Sequence, residues 1–299
     1  MKKLPIALFF GLTVAFTGCY YYGPCLNGSG PVTSEFREVT IFNGIHNTGS
    51  FSVYVAKDED YSVEVVAQEN LLPIIETYVS GYTLTVKTRN GTCFRTNSPV
   101  EVYVTLPELD YLKLSGSGRL EADVASGQVV ECSNSGSGYL RLDTAVTPQF
   151  EAGNSGSGTV QLEEIYAGEV TLDNSGSGTV DGGIVFGPEH LSIRHSSSGR
   201  IRASVEVAAA VDAMLSGSGR VELYGDAAVA EYRLTSSGRI DALELVTSEV
   251  EATTTGSGKI FLYATDYLDA TITGSGDIIY RGNPEIRVRI TGSGRLRPY

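Results

Sequence analysis

One column of cationic residues in this sequence could bind an anion. Its members directly follow the last residue of four successive copies of a short serine- and glycine-rich turn, and they are Arg200, Arg220, Arg239 and Lys259. Tyr139 holds the same position three copies earlier. Guanidinium and ammonium groups bind carboxylate, sulfate or phosphate oxygens, and a tyrosine ring adds an amphipathic contact surface. The column is therefore a candidate ligand face for an anionic glycan.

The same column has a simpler interpretation as a solvated surface. Like charges that stand directly opposite each other on adjacent strands are unfavourable unless anions intervene. Glu222 and Asp241 lie two residues after two of the arginines, which places them on the same face of a strand. We expect these carboxylates to neutralise the column, so an internally paired face is the preferred interpretation and a glycan groove is the alternative.

The sequence offers no recognisable set of catalytic, cofactor-binding or metal-binding residues. The glycine pairs lack the third glycine of a dinucleotide loop, and the spacing G-x-S-x-G of a nucleophile elbow does not occur. Sugar cleavage needs paired carboxylates that converge on one groove, whereas Glu121, Asp143 and Asp181 are scattered over several copies of the turn. We expect a protein that is not an enzyme, with a polysaccharide lyase or glycosidase as the alternative.

A repeat of about 20 residues positions the candidate face. The last glycines of the turns are spaced by 18 to 21 residues, and they are Gly118, Gly138, Gly158, Gly178, Gly199, Gly219, Gly238, Gly258, Gly276 and Gly294. Two residues after each glycine the side chain is apolar in all ten copies, as at Leu120 and Ile240. Side chains alternate along a strand, so such a column faces one way throughout. The pattern predicts an all-β, single-stranded parallel β-helix.

An interior column of this β-helix is polar over four consecutive rungs, where a rung is one copy of the repeat. It contains Asn134, Asn154, Asn174 and then His195. Buried amides require hydrogen-bond partners, and stacked asparagines can bond to one another along the axis. We predict a structural ladder of amide-to-amide hydrogen bonds.

The chain begins with features of a secreted, lipid-modified protein. Residues 1–18 combine a basic start with an apolar run and a small pair before Cys19, which is typical of a secretory leader. The junction resembles a bacterial lipoprotein signal, which implies a lipidated Cys19. Residues 19–35 are rich in turn formers and are predicted to form a tether. The formal net charge of -13 disfavours nucleic acid as a partner.

The remaining cysteines divide into a plausible pair and a single residue. An oxidising compartment permits a disulfide, and Cys25 and Cys93 both lie in irregular sequence. Cys132 occupies an otherwise apolar column and is expected to be a buried free thiol.

Residues 36–110 depart from the regular repeat. Val53 and Val55 follow a degenerate turn at residues 48–51 and match the inward columns, so we expect the coil to begin near residue 36. A short helix is predicted over residues 71–78, with Asn70 as its N-cap. Solenoids need atypical terminal units to cover open strand edges, and this segment suits that task.

Two segments, residues 42–88 and 102–118, resemble the family described as putative auto-transporter adhesin, head GIN domain. The resemblance implies a right-handed β-helix in a lipid-anchored protein of the bacterial envelope, with no catalytic residue. The expected organisation is a signal peptide at 1–18, the tether at 19–35, an N-terminal portion at 36–110 and the regular β-helix at 111–299. The expected function is adhesion or structure at the outer membrane, facing the periplasm or the cell surface, with a glycan or envelope protein as partner.

Overall fold

Alternating apolar residues after each turn build strands that share one dry core. In a computed structural model, which describes residues 25–299, the chain is all-β with almost no helix and forms a β-solenoid of about nine turns. Leu120, Val160 and Ile240 are each 0% exposed. They lie in one column, because Leu120 pairs with Leu140 and Leu140 pairs with Val160 in parallel register. The predicted inward columns are therefore confirmed over these rungs.

Residues 25–299 form 25 strands and one short 3-10 helix, which lies at Leu72–Ile74. The strands are β1 (Leu26–Asn27), β2 (Val32–Phe36), β3 (Gly44–Asn47), β4 (Ser52–Lys57), β5 (Ser62–Gln68), β6 (Ile75–Ser80), β7 (Thr83–Thr88), β8 (Phe94–Arg95), β9 (Glu101–Leu106), β10 (Tyr111–Leu114), β11 (Arg119–Ser126), β12 (Val129–Asn134), β13 (Tyr139–Val146), β14 (Gln149–Asn154), β15 (Thr159–Tyr166), β16 (Glu169–Asn174), β17 (Thr179–Phe186), β18 (His190–His195), β19 (Arg200–Leu215), β20 (Arg220–Leu234), β21 (Arg239–Thr254), β22 (Lys259–Ile272), β23 (Asp277–Arg281), β24 (Glu285–Ile290) and β25 (Leu296–Pro298).

Each regular rung has one strand segment after the turn and one before the next turn. From β10 to β18 these are separate strands, and the corner between them carries Gly127, Pro148, Gly168 or Pro188. Proline cannot donate to a strand ladder, and glycine weakens a strand interior. From β19 to β22 the corners carry other residues and both segments form one strand of 14 to 16 residues.

The turn glycines are required because successive turns stack closely. A Cβ added at Gly156 would collide with the carbonyl oxygen of Gly136, and one at Gly158 would collide with that of Gly138. Neither glycine has a positive φ, so the requirement is space and not backbone conformation. The repeat of Gly and Ser in the turn therefore follows from the stacking of backbone on backbone.

The buried asparagines bond to the turns and not to each other, so the predicted amide-to-amide ladder is wrong. Asn154 donates from Nδ2 to the carbonyl oxygen of Gly158 at 3.0 Å and accepts at Oδ1 from the Gly156 N–H at 3.2 Å. The same two bonds recur at equivalent positions around Asn47, Asn134 and Asn174. Each asparagine thus fixes the turn that follows it.

His195 takes the asparagine position in the next rung and also contacts backbone. Its Nδ1 lies 2.7 Å from the carbonyl oxygen of Asn174, and its Nε2 lies 2.8 Å from that of Gly199. The side chain is 1% exposed. This geometry supports the structural role predicted for the residue.

The N-terminal rungs do not follow chain order. Strands β3 and β4 stack directly on β10 and β11, with Val53 opposite Leu120, as the degenerate turn predicts. Strands β7 and β9 come later in the chain but pair in parallel with the other edges of β3 and β4. Antiparallel strands β6 and β5 then pair with β7 and β9, and β2 pairs with β5. This antiparallel layer covers the end of the coil.

The predicted helix over residues 71–78 is wrong. Only the 3-10 turn at Leu72–Ile74 forms, and β6 follows at once because Ile75 pairs with Thr88 of β7. Asn70 caps no helix, since its side chain accepts from the Ser29 N–H and donates to the carbonyl oxygen of Asn27, both at 2.8 Å. The hairpin of β6 and β7, whose second strand pairs with β3, overrides the local helix signals.

Part of the segment predicted as a tether belongs to the folded body. Strand β1 pairs with β8, and β2 lies on β5, so the tether interpretation does not hold from Leu26 onward. The structure joins Cys25 to Cys93, with Cα atoms 4.7 Å apart, which ties the start of this segment to β8. The predicted signal peptide and Cys19 lie outside the described residues.

The last rung differs from the prediction in its burial. Ile286, Val288 and Ile290 of β24 fall in the inward columns, yet they are 39%, 45% and 47% exposed. Strand β24 pairs only with β22 among the described strands, so one side of its apolar surface is uncovered.

Candidate ligand-binding face

The cationic column forms the first position of four neighbouring strands. Arg200 pairs with Arg220, Arg220 with Arg239, and Arg239 with Lys259, so the four side chains stand one rung apart, about 4.8 Å. The next residue on each strand is fully buried, as Ile201 is, which directs the cations outward. We call the surface formed by this position and the serine-glycine turns before it the turn face.

A shallow trough of about 480 Å³ follows the turn face in the C-terminal rungs. The turn glycines leave room for it because they carry no side chains. Its floor and walls come from hydroxyl, glycine and guanidinium groups of four rungs: Ser177, Gly178, Thr179, Ser198, Gly199, Arg200, Ser218, Gly219, Arg220, Ser237, Gly238 and Arg239. The trough is therefore polar and cationic, with donors arranged at the period of the rungs.

Tyr139 lies in a separate depression on the same face. This second depression, of about 390 Å³, is lined by Tyr139 together with Arg119 and turn serines. Arg119 places its guanidinium 4.7 Å from the Tyr139 ring centroid. Tyr139 stands three rungs before Arg200, so the structure puts them on one face but not in one site. Lys259 stacks beside Arg239 and lies outside the lining of both depressions.

The predicted neutralising carboxylates are present. Glu222 lies 3.2 Å from Nη1 of Arg220 and 4.0 Å from Nε of Arg200, measured to its carboxylate oxygens. Asp241 lies 2.5 Å from Nη2 of Arg239. The internal pairing expected for the arginines is confirmed, and it explains how like charges can occupy adjacent strands.

Pairing is uneven along the column. Arg239 also stacks on Phe261, with 3.9 Å between the guanidinium and the ring centroid. Phe261 holds the position that Glu222 and Asp241 hold in the two preceding rungs. Within residues 25–299, Lys259 has no carboxylate within 4.0 Å. The next residue of the column is Asp277, which lies opposite Lys259 in register but forms its ion pair with Arg297.

The family model for putative auto-transporter adhesin, head GIN domain, matches the sequence twice, over residues 41–227 and 170–284. The two matches together cover most of the chain. The chain belongs to this family. A comparison with curated proteins finds no match.

Solved structures of other bacterial proteins are similar to this chain at low sequence identity. A protein from Parabacteroides distasonis, described as a putative lipid binding protein, is 22% identical over 92% of this chain and 100% of its own, with a TM-score of 0.49. Two proteins described as putative adhesins, from Parabacteroides distasonis and Parabacteroides merdae, are 24% and 21% identical. They cover 92% and 93% of this chain and 100% of their own, each with a TM-score of 0.47. Similarities of this extent carry no conclusion about binding.

Several residues of the trough are absent from the sequence prediction of the ligand face. Turn hydroxyls are among them, and Ser198 Oγ lies 3.5 Å from Ser177 Oγ of the preceding rung. Arg202 also reaches the site, with Nε 3.5 Å from Glu222. The sequence signal that could have predicted this contact is that Arg202 holds the same repeat position as Glu222 of the next rung, with which it pairs in register.

The exterior acids do not converge on a groove. Glu121 pairs with Arg119, Asp143 with Arg141 and Asp181 with Arg202, so each of these acids is bound to an arginine. Among residues 25–299, no group of three or more His, Cys, Asp or Glu side chains is arranged to hold a metal ion. None of the helices within residues 25–299 is long and apolar enough to cross a membrane.

Proposed function

We propose that this protein is a non-enzymatic, lipid-anchored component of the bacterial outer membrane that binds an anionic glycan along its turn face. The observation that carries the proposal is the stack of Arg200, Arg220 and Arg239 along one polar trough. A linear polyanion has charges that repeat along its length, as the cations repeat along the rungs. Family membership supports a role at the cell envelope and an adhesive function.

The anchor and the geometry of the coil complete the proposal. Cys19 would carry the lipid after removal of residues 1–18, and the coil would be right-handed with rungs of about 20 residues. Anchoring through more than one acyl chain gives durable attachment to a membrane. The described residues, from Cys25 onward, would then project from the membrane surface toward the periplasm or the exterior.

Binding is tested with a polyuronate and its uncharged counterpart. Wild-type protein is titrated with polygalacturonate and with fully methyl-esterified polygalacturonate, at low and at high salt. We expect binding to the acidic polymer only, and weaker binding at high salt because released counterions drive the association. The triple variant Arg200→Ala, Arg220→Ala, Arg239→Ala is expected to lose at least about tenfold in affinity.

The matched control removes the same charge elsewhere. Arg194, Arg233 and Arg289 lie in the outward column of the strand segments before the turn, and their triple alanine variant has the same net charge as the test variant. Melting temperatures of both variants verify folding. Equal losses in the two triple variants would mean that net charge, and not the turn face, determines binding.

The anchor is tested separately in cells. Incorporation of a labelled lipid precursor is expected for wild type and not for Cys19→Ser, and protease shaving of intact cells reports which side of the membrane the protein occupies. Labelling that persists in Cys19→Ser would contradict lipid attachment at this residue.

A further inference from the structure

One carboxylate in the trough is held by three arginines. The oxygens of Glu222 lie 3.2 Å from Arg220 Nη1, 3.5 Å from Arg202 Nε and 4.0 Å from Arg200 Nε. The Glu222 side chain is 12% exposed, whereas these three arginine side chains are 45–48% exposed. The carboxylate therefore sits below the guanidiniums, and the guanidiniums face solvent above it.

Other carboxylates repeat this arrangement along the turn face. Asp241 binds Arg239 of its own strand, and Glu121 binds Arg119 in the same way. In each case the acid follows the arginine by two residues and lies on the same side of the strand. The face thus shows which anion its arginines accept, which is a carboxylate.

We propose that Glu222 is an internal competitor that occupies the arginines until a carboxylate of the ligand displaces it, which identifies the ligand as a linear glycan of uronic acids. The proposal rests on the proposed function, because it concerns the same face. A guanidinium has five N–H donors that match a carboxylate in a planar fork. A uronate carboxylate can therefore replace that of Glu222 once Arg200 and Arg220 turn their N–H donors from Glu222 toward solvent.

The spacing of the less compensated cations adds a length requirement. Arg200 only shares Glu222 at 4.0 Å, and Lys259 has no carboxylate within 4.0 Å inside the described range. They are three rungs apart, about 14 Å. Ligand carboxylates are expected to bind these two cations first, so a ligand that cannot extend over this distance loses one contact.

The test compares Glu222→Gln with a matched neutralisation on the other strand segment. Glu251 is exposed, points outward from β21 in the segment before the turn, and lies among neither set of trough-lining residues, so Glu251→Gln makes the same charge change elsewhere. The probe is a labelled decamer of galacturonate at low salt. We expect about tenfold tighter binding for Glu222→Gln, because Arg200 and Arg220 lose their internal anion while Arg202 keeps Asp181, and less than twofold change for Glu251→Gln.

Three further measurements sharpen the result. Glu222→Asp keeps the charge and is expected to show no such gain. Lys259→Gln is expected to weaken binding of the decamer more than that of digalacturonate, which cannot span both cations. If Glu222→Gln proves unfolded by its melting curve, Asp241→Asn tests the same competition through Arg239.

The outcomes separate this proposal from the proposed function. Binding by wild type that is lost in the Arg200/Arg220/Arg239 variant but unchanged or weakened in Glu222→Gln supports the function and overturns the competitor role. Binding that appears only in Glu222→Gln supports the competitor role and contradicts wild-type glycan binding. Binding of dextran sulfate but not of the galacturonate decamer overturns the uronate class, and no binding by any variant overturns both proposals.

Discussion

The N-terminal and C-terminal halves of the coil solve the same stacking problem with different residues. In the rungs before Arg200, the interior position preceding the turn is asparagine at Asn47, Asn134, Asn154 and Asn174, with leucine at Leu114 and histidine at His195. In the rungs from Arg200 onward that position is apolar or threonine: Leu215, Leu234, Thr254 and Ile272. The outward position after the turn changes over the same boundary, from mostly neutral residues to the cationic column.

The N-terminal half is distinguished by polar residues in its interior, and the C-terminal half by charged residues on its surface. In the N-terminal half a buried amide satisfies turn backbone from inside, and the corners are broken by glycine or proline. In both halves the last glycine N–H of the turn bonds to a carbonyl oxygen of the preceding rung, as Gly158 does to Gly136 and Gly219 to Ser197. The C-terminal half keeps this bond without an interior asparagine, its strands run through the corners, and its distinctive polar feature is the charged exterior.

The largest expected effect is a loss of stability when a turn glycine is replaced, and it tests whether close stacking of the turns requires glycine. Gly156→Ala places a methyl group against the carbonyl oxygen of Gly136, while Gly153→Ala, three residues earlier, meets no atom within 4 Å. We expect Gly156→Ala to lower the free energy of unfolding by about 3 kcal/mol or more, because backbone must move in two rungs. Gly153→Ala is expected to change it by less than about 1 kcal/mol.

Urea unfolding of the two variants measures the difference in their unfolding free energies. Ser197 and Ser236 occupy the Gly156 position in two later rungs, so those rungs accept a Cβ at a position where Gly156 leaves no room for one. Equal stability of the two alanine variants would show that the turns of the N-terminal half can separate without cost.

A smaller effect is expected when one half is given the interior residue of the other. Asn154→Leu removes the acceptor of the Gly156 N–H and a donor to the Gly158 carbonyl oxygen. Leu114 shows that an N-terminal rung accepts leucine here, so the expected loss is that of the hydrogen bonds, about 1–2 kcal/mol. The reciprocal variant Leu234→Asn should lose about 2 kcal/mol, because it buries an amide in an apolar column. An increase in the unfolding free energy for either variant would contradict the distinction between the halves.

The regular coil could be predicted from the sequence because its signals are local and repeated. Apolar residues two positions after each turn fix the inward columns, and the spacing of Arg220 and Glu222 on one strand fixes their pairing. The partners of the asparagines could not be predicted, since an amide in that column can reach either the next amide or its own turn. The structure shows that the Asn154 side chain is within hydrogen-bond distance of Gly156 and Gly158 in the turn that follows it.

The N-terminal cap could not be predicted because its contacts are between segments distant in sequence. The signals for a helix over residues 71–78 compete with a β6–β7 hairpin, and the second strand of that hairpin is fixed by pairing with β3, which is distant in sequence. The sequence also gives no sign that β7 and β9 form the rung before β3 and β4. The trough escaped prediction for a similar reason, since it depends on four rungs lying side by side.

The smallest expected effect is on the pH dependence of stability. It comes from one interior column, which contains Cys132 in the N-terminal half and Tyr232 in the C-terminal half. Burial raises the pKa of the Cys132 thiol above its ordinary value of 9.0 and that of the Tyr232 phenol above 10.0. The unfolded chain then releases these protons first, so stability is retained below the ordinary pKa and falls above it, by about 1.4 kcal/mol per pH unit for each group. Urea unfolding from pH 7 to 10.5 should show the loss beginning near pH 9 in wild type and later in Cys132→Ala, while Tyr232→Phe removes only the steeper loss above pH 10. Identical pH profiles in all three proteins would mean that these side chains reach solvent, and that the dry column does not continue across the boundary between the halves.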